Sequence, residues 1–115
     1  MIMVLKKNYS RNLNDSVFEL IPSKIFLKQL DSLSSKTRIS LKNKLLLLKE
    51  NPFRNKRIIG YSLLLFRIRF VDMNKSKRVI YLVDKSKIKL ICILDRKNNY
   101  SDLKFYLKNY LKSKL

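Results

Sequence analysis

The segment Phe66-Arg67-Ile68-Arg69-Phe70 alternates apolar and cationic side chains. On an extended strand successive side chains point to opposite faces, so Phe66, Ile68 and Phe70 face one way and Arg67 and Arg69 the other. Arg78 begins the next strand-like run and Arg96 ends the last. The spacing therefore gathers several guanidiniums on one exposed sheet face. Guanidinium forks grip phosphate oxygens bidentately and stay charged at any physiological pH. That suits docking of a nucleic-acid backbone, and equally the stabilisation of a pentacoordinate phosphate. A solvated basic face without catalytic use has the same pattern, and RNA-binding domains present such faces as well.

The composition points to the same kind of partner. The chain has 115 residues, with 27 Lys or Arg against 8 Asp or Glu and a formal net charge of +19. Each phosphate that such a surface neutralises releases condensed counterions, so the charge predicts a polyanion, nucleic acid first. Arg54, Lys56, Arg57, Lys77 and Lys97 are further candidates for RNA contact. Lysine enrichment also suits an AT-rich genome or a hot-living host, as do the absence of Ala and the single Gly60.

Other chemistries are excluded by what is missing. Histidine is absent and Cys92 is the lone cysteine, so there is no internal disulfide, no zinc or iron cluster and no Ser-His-Asp or Cys-His triad. No metal and no cofactor is expected, and Cys92 reads as a small buried apolar residue that alternates with Leu90 and Leu94. The apolar runs Leu45–Leu48 and Leu63–Phe66 fall far short of the roughly 20 residues of a membrane span. Met1–Leu5 is too short for the apolar region of a signal peptide. The expected location is the cytoplasm, away from membranes.

The elements that must position these residues follow from periodicity. A chain of this length holds one domain, read as residues 17–115 after an N-terminal arm, residues 1–16, with no helical or strand period past Leu5. Val17–Ile21 reads as a short strand ended by Pro22, with Ser23 as the N-cap of a helix that buries Phe26, Leu30 and Leu33. A second helix spans about Lys36–Glu50, with Leu41, Leu45 and Leu48 on one face and Ile39 and Leu46 on another, and Asn51-Pro52 stops it. Two apolar faces predict contact with both the sheet and the first helix. Phe53–Ser62 reads as a basic connection in which Gly60 supplies an unusual backbone angle.

Three strands follow, Leu63–Val71, Arg78–Asp84 and Ile88–Arg96, joined by the polar linkers 72–77 and 85–87. The last element is a helix capped by Ser101 or Asp102, with Leu103, Leu107, Tyr110 and Leu111 on its apolar face. Tyr106 lies near that face and Phe105 points away from it. The fold class is α+β: an N-terminal strand, an αα-hairpin, and a three-stranded antiparallel meander that completes a four-stranded sheet, closed by a C-terminal helix.

In this order the segments resemble the RelE/ParE toxin superfamily, its RelE branch above all. The resemblance covers about residues 17–110. It rests on Glu50-Asn51-Pro52-Phe53, Ile58-Ile59-Gly60-Tyr61, Leu65-Phe66-Arg67-Ile68-Arg69, Lys77-Arg78-Val79-Ile80-Tyr81 and Leu94-Asp95-Arg96-Lys97-Asn98-Asn99-Tyr100. It implies an endoribonuclease that cuts mRNA in the ribosomal A site, inhibits translation, and is restrained by a small acidic antitoxin. Carried over by position, the family's phosphate-binding, transition-state-stabilising and base-stacking residues fall on Arg67, Arg69, Arg78, Arg96 and Tyr100. Lys77 stands where the family usually has an aromatic, and Asp95 where many relatives have His.

Without imidazole, the 2′-OH proton must go to Tyr100, Asp95 or a lysine such as Lys97. Asp95 has an alternative use as an ion-pair partner of Arg96 or Arg78, and Tyr100 as a packing residue against the last helix. The ParE branch offers another reading, inhibition of DNA gyrase without RNA cleavage, and a non-catalytic RNA-binding or ribosome-associated protein is the third. The antitoxin is expected on the basic sheet face, or in place of the C-terminal helix. In the second case Leu103, Leu107 and Leu111 are the exchanged surface.

Overall fold

In the computed structural model, which describes residues 18–96 and 102–112, the C-terminal half of the sheet is an antiparallel meander. Its strands are β3 (Leu65–Asp72), β4 (Lys75–Asp84) and β5 (Lys87–Asp95). The connections are tighter than the polar linkers suggest, because pairing continues to Asp72↔Lys75 and Asp84↔Lys87. Met73 and Asn74 take φ of 49° and 66°, both positive, as the type I′ hairpin turn requires. Lys85 does the same at 57°. Polar strand ends read as linker in the sequence because an exposed paired residue has no reason to be apolar.

Two short strands complete the sheet. β1 (Glu19–Pro22) runs parallel to β5, from Glu19↔Lys87 to Pro22↔Leu90. β2 (Lys56–Ile58) pairs antiparallel with β3 over Lys56↔Arg67, Arg57↔Phe66 and Ile58↔Leu65. The order is β1-β5-β4-β3-β2, five strands rather than four. The extra strand lies inside the stretch read as a basic connection: three residues are too few to show a period, and two of them are cationic. Val17, the arm at 1–16, Lys97, Tyr100 and the Ser101 cap lie outside the described residues.

Helices α1 (Lys24–Asp31) and α2 (Ser35–Leu47) cover one sheet face. Ser23 caps α1, accepting from Phe26 N–H at 3.0 Å while its hydroxyl donates to the Ile91 carbonyl at 2.7 Å. Ser34 caps α2, accepting from Thr37 N–H at 3.3 Å. The α2 helix ends at Leu47, and N–H groups from Leu48 to Glu50 then bond three residues back, a tightening common ahead of a proline. Between these helices and the sheet lie Phe26, Leu30, Leu33, Leu41, Leu45 and Leu48 against Phe66, Ile68, Phe70, Val79, Tyr81, Val83, Ile88, Leu90 and Ile93. Each fully buried side chain of this kind is worth about 1.5–3 kcal/mol against exposure. The second apolar face expected on α2 has no such contact: Ile39 is 65% and Leu46 57% exposed.

The opposite face is covered only in part, by α3 (Leu103–Lys112). Leu103 and Leu107 pack with Ile58, Leu65, Ile80, Leu82, Ile91, Cys92 and Leu94, with Tyr106 and Tyr110 at the margin. A β-bulge shifts the β4–β5 register between Ile80↔Cys92 and Tyr81↔Leu90, so Ile91 is the extra residue. This breaks the alternation read for the last strand: Leu90 faces α1 and α2, whereas Ile91, Cys92 and Leu94 face α3. Gly60 takes φ of 103°, an angle cheap only for glycine. Among the described residues no helix is long and apolar enough to cross a membrane.

Candidate nucleic-acid interface

The partial cover of the second face decides what remains accessible. The α3 helix sits over Leu65, Ile80 and Leu82, and Arg67, Arg69 and Arg78 lie on the same face further toward the β3–β4 turn. Arg69 and Arg78 are direct cross-strand partners, and Lys56 is opposite Arg67. Like charges opposite one another destabilise a sheet by roughly 0.2–1 kcal/mol per pair. Two such pairs lie side by side on this face.

Two clefts run along this face. One, of about 410 Å³, is lined by Lys44, Arg69, Phe70, Val71, Ser76, Lys77, Arg78 and Arg96. The other, of about 490 Å³, is lined by Lys44, Asn55, Lys56, Arg67, Ile68 and Arg69. No carboxylate among the described residues lines either one. A third cleft, next to the first, holds Lys75, Ser76, Asp95 and Arg96. Arg69, Arg78 and Arg96 thus line the first cleft, and Arg67, Arg69 and Lys56 the second.

The remaining candidates divide. Arg69 and Arg96 are exposed, but Arg78 is only 6% exposed, which corrects the expectation of a fully exposed arginine face: Leu94 and Arg69 flank it across the ladder. Arg57 is opposite Phe66 and so faces away from Arg67, and Arg54 is exposed in the turn before β2. Asp95 pairs with Lys77, its direct cross-strand partner, at 2.7 Å. Lys97 and Tyr100 are outside the described residues. On α3, Leu103 and Leu107 are buried and Leu111 is 44% exposed, so the first two are available to another chain only if the helix leaves.

Lys44 was not picked out from the sequence. It sits in a helix whose lysines look alike, and only the tertiary placement of α2 along β3 brings it to both clefts. That placement is fixed at its N-terminal end, where Ser34 Oγ donates to the Asp72 carboxylate at 2.8 Å and Ser34 N–H reaches the same oxygen at 3.3 Å. Hydrogen bonds from Thr37 and Ser34 hold the Asp72 carboxyl below its ordinary 3.8. The turn before β2 is fixed by Tyr81, whose hydroxyl donates to the Pro52 carbonyl at 2.7 Å and accepts from Asn55 Nδ2 at 3.0 Å.

No protein-family model matches the chain, and no curated protein matches it at a significant level. Solved structures do. A free E. coli RelE toxin carrying two arginine-to-alanine changes superposes with a TM-score of 0.64 at 21% identity, covering 85% of this chain and 98% of that one. The isolated E. coli RelE toxin gives 0.57 at 24% identity, over 68% and 83% of the two chains. In the E. coli RelBE toxin–antitoxin complex the figures are 0.57 and 26%, over 67% of this chain and 94% of that chain. The element order, the two-sided packing and these superpositions agree: the chain has the RelE-like toxin fold.

Proposed function

We propose that this chain is the toxin of a toxin–antitoxin pair and acts as a ribosome-dependent endoribonuclease that cleaves mRNA. The observation that carries the reading is the Arg69–Arg78 pair, two guanidiniums opposite each other, with Arg67 and Arg96 in adjoining clefts that no carboxylate lines among the described residues. Guanidiniums placed in this way suit a phosphate, whose oxygens they grip bidentately. In the reaction, the 2′-oxygen gives its proton to a base and bonds to the adjacent phosphorus while the P–O5′ bond breaks. The 5′-oxygen leaves with a proton, giving a 2′,3′-cyclic phosphate, and the guanidiniums balance charge gathering on the equatorial oxygens. A small acidic antitoxin complements the basic surface, and the RelBE structure is itself a toxin–antitoxin complex.

The test is cleavage of mRNA on programmed ribosomes. Arg69→Ala and Arg96→Ala remove exposed side chains, so folding is expected to change by less than about 0.5 kcal/mol. Each lost transition-state donor is expected to slow cleavage by about 10²–10³. Wild-type rates in both variants would overturn the assignment. If the wild type leaves ribosome-bound mRNA intact but blocks gyrase supercoiling, the ParE-type reading replaces it; RNA binding without either activity supports a binding protein.

A further inference from the structure

We propose that Lys44 extends the anion site around the open edge of β3 and holds a second, neighbouring phosphate of a bound RNA strand. The inference rests on the RNA reading above and adds a residue to it. β2 pairs with β3 only over Leu65–Arg67, so among the described residues β3 has no strand on its outer side from Ile68 to Asp72. Past that edge comes α2, and the Lys44 side chain, exposed in the last turns of the helix, lines both basic clefts. The clefts share Lys44 and Arg69 and nothing else. They therefore adjoin, with Arg78 and Arg96 in one, Arg67 and Lys56 in the other, and Lys44 at the junction.

A single phosphate over the Arg69–Arg78 pair leaves the second cleft empty. A polynucleotide does not, since successive phosphates follow one another along the backbone, and a cation at the junction lies where the next one passes. Lys44 is a positioning residue in this arrangement, a point charge that fixes the strand's register while the arginines act on the central phosphate. The Ser34–Asp72 contact supports it by anchoring the start of α2 to the end of β3.

The experiment measures binding of 2′-O-methyl RNA, which cannot be cleaved, by NMR shift titration. One ligand is a dinucleotide with a single internucleotide phosphate and the other is a tetranucleotide. Lys44→Gln is expected to weaken tetranucleotide binding more than dinucleotide binding and to lower the log–log salt slope for the tetranucleotide by about 0.7. With the two proteins converging near 1 M salt, that slope corresponds to about an eightfold loss at about 50 mM. Lys44→Arg is expected to retain binding. An unchanged tetranucleotide affinity and slope, or an equal loss on both ligands, overturns the proposal while the RNA reading stands. If the wild type binds neither ligand, the RNA reading itself fails and the proposal with it.

Discussion

Replacing Tyr81 by Phe isolates one hydroxyl in the centre of the fold. Tyr81 is 0% exposed and stacks on Phe66 with ring centroids 5.4 Å apart, and Phe keeps both the volume and the stack. What is lost is the donor to the Pro52 carbonyl and the acceptor for Asn55. Pro52 is itself buried, so its carbonyl is left without that donor, at about 1–3 kcal/mol. Asn55 is only half-buried and can turn to water.

The expected loss is about 2 kcal/mol, which at a urea m-value of about 1.5 kcal/mol/M lowers the unfolding midpoint by about 1.3 M. The same variant should weaken RNA binding modestly, because the 52–55 turn leads into Lys56. A midpoint within about 0.3 M of wild type, a change of less than about 0.5 kcal/mol, would sink the argument that this hydroxyl anchors the turn.

Two further outcomes can be checked directly. Asp72 has a folded pKa below its ordinary 3.8, so its contribution to stability is complete above about pH 4 and disappears as the pH falls through the folded value. Thermal melts down through that range should show Asp72→Asn losing less stability on acidification than wild type, and equal acid sensitivity would refute it. Cys92 is fully buried and its thiol is pushed up to about 12, chiefly by burial. A thiol reagent should therefore label the native protein only as fast as it opens, and rapid labelling of folded protein would contradict the packing under α3.

The arginine alternation was legible because a strand fixes side-chain direction with a period of two, and any reader of 66–70 can assign its faces. The helix caps at Ser23 and the left-handed angle at Gly60 were legible for a similar reason: each is a local constraint. Non-local facts were not. The Ile91 bulge separates Leu90 from Cys92 and puts Ile91 beside it instead, and nothing in Leu90-Ile91-Cys92 marks an extra residue. Arg78 looked exposed because its burial depends on what stands across the ladder. Lys44 was hidden by its resemblance to other helical lysines. The apolar residues Ile39 and Leu46 overstated the packing of α2, since a hydrophobic residue on a surface helix implies no neighbour.

One feature of the first helix bears on self-association. Beyond β1, the β5 backbone at Ile93 is met by the side-chain amide of Gln29 on α1, which donates to the Ile93 carbonyl at 2.9 Å and accepts from its N–H at 2.6 Å. One glutamine thus performs the duty of a missing strand residue and denies that position to another chain. β1 is protected by its brevity and by Pro22 at its end. Among the described residues, Ile68–Asp72 on β3 has no strand neighbour on its outer side, and Lys44, Arg67 and Arg69 lie around it. Two copies approaching along that edge would bring those cations together, and the repulsion guards against fibril growth. A polyanion that neutralises the cations removes the guard unless it also covers the edge.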